Sequence, residues 1–369
     1  MNINLIFTYG VSLKDWEISG ILDRELEMYR RMILKNGSVV NLITFGDNED
    51  DDILIDEENI NTYPVYKYIK KTGSPFLNFL SSFLIPFKLK EELKDGDLIK
   101  TNQLNGSWIG IFLKFILKKP LIIRTGYNVY EFSKNERKSK IKQLFYFYLT
   151  KYSLKFSDKY LVSSNSDLVF LRENFSNTEN VVVFPNWVDS LKYNDFKNRY
   201  SNKVLSVGRL EDQKNYQFLI QKFANSKIEL DIVGEGSRKK ELKKLAKKNN
   251  VNVNFLGRVD YFELQEIYKN YRIFIMPSLF EGNPKALLEA LASGCLVFAL
   301  KNKNIEEIIV NKKNGILFTL ETDLNKEIEK YLYSENSFNA LTTGAYDYIK
   351  ENNLIDILLE KEMEIYKKL

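Results

Sequence analysis

Four charged side chains in the second half of this sequence are spaced for work on an anionic ligand. Glu281 and Glu289 bracket the segment E-G-N-P-K-A-L-L-E, where the apolar run Arg272 to Pro277 turns into a helix. In open α/β sheets the carboxyl end of a strand leading into the amino end of a helix is where phosphorylated ligands are held. Only Glu289 falls inside the helix, so the pair can span a ligand rather than share one helix face. The spacing equally allows an ordinary i, i+4 ion pair between Lys285 and Glu289. Arg209 and Lys214 follow the apolar run Val204 to Val207. On one loop they can both reach a single diphosphate, or they are two solvated surface cations.

The rest of the composition narrows the chemistry. The chain has no histidine and a single cysteine, Cys295. That removes the usual zinc sites, the Ser-His-Asp triad and any imidazole base, and leaves carboxylates, cations and backbone dipoles. One cysteine forms no intramolecular disulfide and fits a reducing, cytoplasmic compartment. The acidic run Glu49 to Asp52 sits in a very polar loop, Gly46 to Asn59, and reads as a solvated turn rather than a metal-binding D-x-D. No metal and no cofactor are expected. A net charge of +5 is small and evenly spread, whereas nucleic-acid binding calls for a concentrated basic stripe.

These residues must be positioned by a large scaffold. A chain of 369 residues is too long for one ordinary core and suggests two domains, and 44 % hydrophobic with 28 % charged residues is a globular composition. Strand-like runs recur at Ile3 to Tyr9, Val39 to Phe45, Tyr63 to Tyr68, Leu98 to Thr101, Leu121 to Thr125, Tyr160 to Ser163 and Val181 to Phe184, separated by helix-length amphipathic segments. A second alternating series begins at Lys203. It continues through Ile228 to Val233, Val253 to Leu256, Arg272 to Pro277, Leu296 to Leu300 and Ile316 to Phe318. Each series predicts a parallel, doubly wound α/β sheet. The boundary is expected near Pro185 to Asp189 and the polar stretch Lys192 to Asn202. Met1 to Gly10 lacks the basic flank and cleavage site of a signal peptide, and no apolar run reaches the 18 or so residues of a spanning helix. Phe76 to Phe87 and Trp108 to Leu117 are aromatic-rich and flanked by lysines, a pattern shared by helices on a membrane surface and buried helices.

The motifs V-G-R-L…K-N, I-V-G-E-G, F-L-G-R-V, M-P-S-L-F-E-G-N-P, L-L-E-A-L-A-S-G and N-G-I-L-F, running from Lys203 to Thr319, resemble in kind and order those of the family-4 glycosyltransferases of GT-B fold. The resemblance implies two Rossmann-like domains facing a central cleft, an acceptor domain at 1–190, a donor domain at 200–340 and a helical segment at 341–369 that packs back on the first domain. It implies that Arg209 and Lys214 bind the donor phosphates, that Glu281 contacts hydroxyls of the transferred sugar and that Glu289 accepts from the ribose. Arg209, Lys214 and Glu281 are the implied catalytic set. Gly282, Asn283 and Lys285 in the turn, Gly234 and Gly236, Arg258 and Val259 beside the nucleobase, and Gly20 across the cleft complete the implied donor site.

Two departures stand out. Pro284 replaces a common second glycine and has no N–H to give, and the absent histidine leaves Arg124 and Tyr127 as acceptor-side candidates. Asn186 and Asp189 match a structural hinge element. The implied activity is retaining transfer of a sugar from a nucleotide-diphosphate sugar to a saccharide or lipid-linked saccharide in cell-surface polysaccharide synthesis. The expected location is the cytoplasm, with the aromatic and lysine pattern between Phe76 and Lys119 and between Lys134 and Lys155 pointing to peripheral attachment to an anionic membrane surface on the inner face of the plasma membrane. The rivals are a nucleotide-sugar epimerase or hydrolase on the same fold and a catalytically silent binding subunit.

Overall fold

A computed structural model describes residues 1–190 and 195–369. The polar stretch expected from Lys192 therefore begins outside the described residues. The chain forms two compact units, Met1–Pro185 with Leu359–Leu369, and Asn186–Leu358. Relative to the expected 341–369 segment, the chain through Leu358 belongs to the second unit and only the last residues belong to the first.

The first unit is built on β1 (Asn2–Ile6), β2 (Val39–Thr44), β3 (Ile60–Pro64), β4 (Leu98–Thr101), β5 (Leu121–Arg124), β6 (Lys159–Val162) and β7 (Val181–Val183). All pairs are parallel, in the order β3-β2-β1-β4-β5-β6-β7. Helices cover parallel sheets on both faces, so central strands are mostly apolar; Leu5, Ile43, Ile99 and Ile123 are fully buried. The strand expected at Tyr63 to Tyr68 lies earlier, at Ile60–Pro64. Pro64 cannot donate to the ladder, and Val65–Lys67 turns into a 3-10 helix instead.

A buried carboxylate and a buried ion pair organise this unit. Asp50 is almost fully buried, which corrects the solvated-turn expectation. Its carboxylate accepts from the backbone N–H groups of Leu13 and Lys14 at 3.1 Å and from the Thr44 hydroxyl at 2.5 Å. It thus satisfies first-turn donors of the helix Leu13–Ile18. Lys100, in the middle of β4, pairs with Glu362 of the closing helix, Ile355–Lys367, and both are buried. The Tyr366 hydroxyl donates to the same carboxylate at 2.5 Å. Burial, the largest single influence, acts to lower the Lys100 pKa, but the charge and hydrogen bond of Glu362 together with Tyr29 outweigh it and the net shift is upward. A buried pair of this kind holds the C-terminal residues on the first sheet, because separating it strands a charge.

The second unit repeats the topology with β8 (Tyr200–Val207), β9 (Glu229–Val233), β10 (Val253–Gly257), β11 (Tyr271–Met276), β12 (Leu296–Leu300) and β13 (Ile316–Phe318), ordered β10-β9-β8-β11-β12-β13 and parallel throughout. In each unit the order reverses between the first and fourth strands, which opens a crevice at their carboxyl ends. Among the described residues no helix is long and apolar enough to cross a membrane.

Candidate donor site

The reversal point of the second sheet lies between β8 and β11, and the loops leaving these two strands carry Arg209, Lys214 and Glu281. They are stitched together. The Leu279 N–H donates to the Gln213 carbonyl at 2.9 Å, the Asn215 amide donates to the Pro277 carbonyl at 3.2 Å, and Gln213 Nε2 donates to the Phe280 carbonyl at 2.7 Å. Asn215 holds a left-handed φ of 54°, a conformation asparagine tolerates better than most residues. Gln213 also reaches Glu281 Oε2 at 3.5 Å. The sequence reading missed this glutamine, whose only signal is that it precedes Lys214.

Within this frame Lys214 Nζ donates to Glu281 Oε1 at 2.5 Å, with side-chain exposures of 15 % and 7 %. The pair joins residues expected to act separately on phosphate and on sugar. An ammonium has three donors, so Lys214 can keep Glu281 and still present N–H to a phosphate oxygen. Arg209 differs: its side chain is exposed and makes no hydrogen bond or ion pair among the described residues. It is a pre-positioned cation available to an incoming anion.

Gly234 and Gly236 explain why the Arg209 loop sits so low. The Gly208 N–H donates to the Val233 carbonyl and the Leu210 N–H to the Glu235 carbonyl. A Cβ on Gly234 would lie 2.0 Å from the Gly208 carbonyl oxygen, and one on Gly236 would lie 2.5 Å from that of Leu210. Both glycines are accounted for by this approach of backbone to backbone, and they shape the site through the loop that carries Arg209. Gly234 also has φ of 141°. Gly234→Ala is therefore expected to cost about 1–3 kcal/mol for the backbone conformation and a comparable amount for overpacking. Urea denaturation at unchanged midpoint would contradict it.

Glu289 lies within the helix Lys285–Ala292, is 7 % exposed, and accepts from the fully buried Tyr268 hydroxyl at 3.3 Å. Pro284 is the N-cap of that helix, and its carbonyl accepts from the Leu287 and Leu288 N–H groups. The positive end of the helix dipole thus lies at the Gly282 turn. Two turn residues are committed elsewhere. Asn283 Oδ1 accepts from the Asn186 N–H at 2.9 Å, and its carbonyl accepts from the Asn186 side-chain amide at 2.5 Å. The Asn353 amide in turn donates to the Asn186 carbonyl at 2.7 Å. The Lys285 ammonium lies 4.8 Å from the centroid of the Trp187 ring, a cation–π contact. The element P-N-W-V-D is thereby fastened to the Gly282 turn, Asp189 being half-buried at its end.

Arg258 is exposed and Val259 half-buried after β10. In the first unit Gly20, at φ of 66°, ends the helix Leu13–Ile18, its N–H donating to the Glu17 carbonyl. Arg124 is the last residue of β5 and is buried near Lys100, Tyr29 and Tyr366, while Tyr127 is exposed and packs on Phe132. A cavity of about 790 Å³ in the second unit, bounded by Arg199, Gly294, Phe338 and Tyr346, lies toward the amino ends of the strands. None of the candidate residues lines it.

Known proteins share both sequence and fold with this chain. Residues 191–348 match the family described as "Glycosyl transferases group 1". A Campylobacter jejuni α-1,4-N-acetyl-D-galactosaminyltransferase acting on a diNAcBac-PP-undecaprenol-linked saccharide is 25 % identical over 346 residues, which is 90 % of this chain and 91 % of that protein. Among solved structures, HepE of Anabaena in complex with UDP and glucose superposes with a TM-score of 0.77 at 17 % identity over the whole of both chains. Sucrose-phosphate synthase from Thermosynechococcus elongatus gives 0.80 at 18 % identity, covering 100 % of this chain and 98 % of the other.

Proposed function

The chain is a glycosyltransferase of GT-B fold carrying a glycosyl transferases group 1 domain over residues 191–348, and from that premise we propose that it is a retaining enzyme. It moves a sugar from a nucleoside-diphosphate sugar to a saccharide or lipid-linked saccharide in cell-surface polysaccharide synthesis, at the cytoplasmic face of a membrane. The observation that carries the reading is the Lys214–Glu281 pair at the reversal point of one sheet, on loops that also carry the exposed Arg209. HepE, which shares the fold, was solved with UDP bound, and in this reading Arg209 and Lys214 meet the departing diphosphate.

The acceptor hydroxyl oxygen attacks the anomeric carbon on the face from which the diphosphate departs. The bond from that carbon to the phosphate oxygen breaks, and the hydroxyl proton passes to the departing diphosphate. Arg209 and Lys214 offset the charge that grows on the distal phosphate. Glu281 holds Lys214 and accepts from hydroxyls of the sugar, while Glu289 accepts from the two ribose hydroxyls. This scheme needs no histidine.

Glu289→Ala is expected to weaken nucleotide affinity by about 1–3 kcal/mol, the cost of leaving ligand hydroxyls without a buried partner. Fold stability changes little, because the Tyr268 hydroxyl keeps the Ala286 carbonyl at 3.3 Å. Calorimetry with the nucleoside diphosphate is the check, and unaltered affinity removes Glu289 from the site. The phosphate charge is met by side chains rather than a divalent ion, so a chelator leaves turnover intact. The proposal rests on Arg209 and Lys214, which would supply the positive charge that a bound ion provides elsewhere. Turnover abolished by chelator and restored by Mg²⁺ or Mn²⁺ would overturn this assignment.

A further inference from the structure

Three helices of the first unit carry apolar side chains on their outward faces as well as their inward ones. Along Lys140–Phe156 the exposed apolar and aromatic residues are Ile141, Leu144, Phe145, Tyr148 and Tyr152, one stripe at helical spacing. The opposite face buries Leu149, Thr150, Ser153 and Leu154, and the Ser153 hydroxyl meets that of Ser107 at 2.8 Å. The inward face is therefore already filled, and the outward apolar stripe is left exposed. The stripe continues onto its neighbours through ring contacts: Phe79 lies 5.9 Å from Phe145, and Phe83 lies 5.8 Å from Phe112. Phe76, at 67 % exposure, and Phe115, at 59 %, extend the apolar surface over Pro75–Ser82 and Ser107–Leu117.

Charge selects the occupant. The segments 75–88, 107–117 and 140–156 contain no Asp or Glu, and Lys88, Lys140, Lys142 and Lys151 are exposed around the apolar stripe. A second copy of the chain meeting this face about a two-fold axis would set the same patch against itself, lysines toward lysines. An anionic bilayer accepts the apolar side chains among its acyl chains and the ammonium groups among its phosphates. We infer that this three-helix face docks the protein on an anionic lipid surface, with Lys140–Phe156 lying in the membrane plane over about 25 Å. The face also adjoins the carboxyl end of β1, since Tyr9 packs edge-on against Phe79 at 6.2 Å. Docking would bring that strand end to the level of lipid headgroups. The inference deepens the lipid-linked-acceptor reading and rests on it for its purpose, but its measurement needs neither donor nor acceptor.

The full chain is sedimented with vesicles of phosphatidylcholine alone and of phosphatidylcholine mixed with phosphatidylglycerol. Binding is expected on the anionic vesicles only, weakening as salt rises. The triple variant Phe76→Ser, Leu144→Ser, Tyr148→Ser changes exposed side chains and so leaves the fold intact, verified by its thermal transition. It should reduce vesicle affinity by about tenfold or more, and Lys142→Glu with Lys151→Glu should abolish the salt-sensitive part. The inference is overturned by absence of wild-type binding, or by a triple variant that binds like the wild type. It is also overturned by a wild-type dimer that the triple variant makes monomeric, which would assign the face to self-association. Donor hydrolysis measured in parallel separates the two ideas: turnover without vesicle binding refutes docking and leaves the proposed function standing.

Discussion

Arg209→Ala should lower kcat about 10²- to 10³-fold, the scale of deleting one preorganised electrostatic contact, while its thermal transition stays at the wild-type temperature. Both halves follow from the geometry. The guanidinium is exposed and makes no ion pair among the described residues, so removing it breaks nothing in the resting fold. Its role in the proposed mechanism is confined to charge that grows as the sugar–phosphate bond breaks, so kcat falls more than donor affinity. Arg209→Lys keeps a point charge but loses the planar fork and recovers only part of the rate. Steady-state and single-turnover kinetics with saturating donor check it. A raised donor KM with near-normal kcat would show that Arg209 binds ground state and transition state alike.

Lys214 gives a different signature because it is already paired. Lys214→Ala leaves the Glu281 carboxylate, 7 % exposed, without its ammonium, and loss of one partner of a buried pair costs about 3–5 kcal/mol of stability. A drop in kcat of the same 10²- to 10³-fold order accompanies it. The double variant Lys214→Met, Glu281→Gln separates the two effects. It replaces the pair by neutral groups of similar size and should recover most of the stability in urea denaturation, yet none of the turnover. Recovery of both would mean that the pair is scaffolding alone. Because Arg209 and Lys214 act on one diphosphate, the Arg209→Ala, Lys214→Ala enzyme should be less impaired than the product of the single effects.

How much of this could be read in advance follows from the range of the interactions. Both doubly wound sheets were legible, since parallel strands buried on two faces leave short apolar runs such as Leu296–Leu300 that need no partner to be seen. The strand-to-helix turn at Glu281 to Glu289 was legible for the same local reason. What escaped depends on contacts between distant positions. Lys214 and Glu281 are separated by 67 residues, and nothing near either announces the other. Asn283 looked like a ligand residue because its engagement with Asn186 lies 97 positions away. Asp50 looked solvated because its partners, the N–H groups of Leu13 and Lys14, belong to another helix. The glycines of G-E-G were visible as a turn, but the reason for them, the backbone of Gly208 to Leu210 lying where a Cβ would be, is tertiary.

The central claim, that paired loops after β8 and β11 neutralise a departing diphosphate, is tested most directly by measuring nucleoside diphosphate release. Purified wild-type chain, Arg209→Ala and the Lys214→Met, Glu281→Gln variant are each incubated with a panel of nucleotide sugars and a saccharide acceptor. The account predicts release from at least one donor by the wild type and a loss of about 10²-fold or more in both folded variants. Wild-type chain that is folded and binds a nucleotide sugar without releasing its diphosphate would contradict it and assign the protein to the binding subunits. Variants that turn over like the wild type would place the catalytic charge elsewhere.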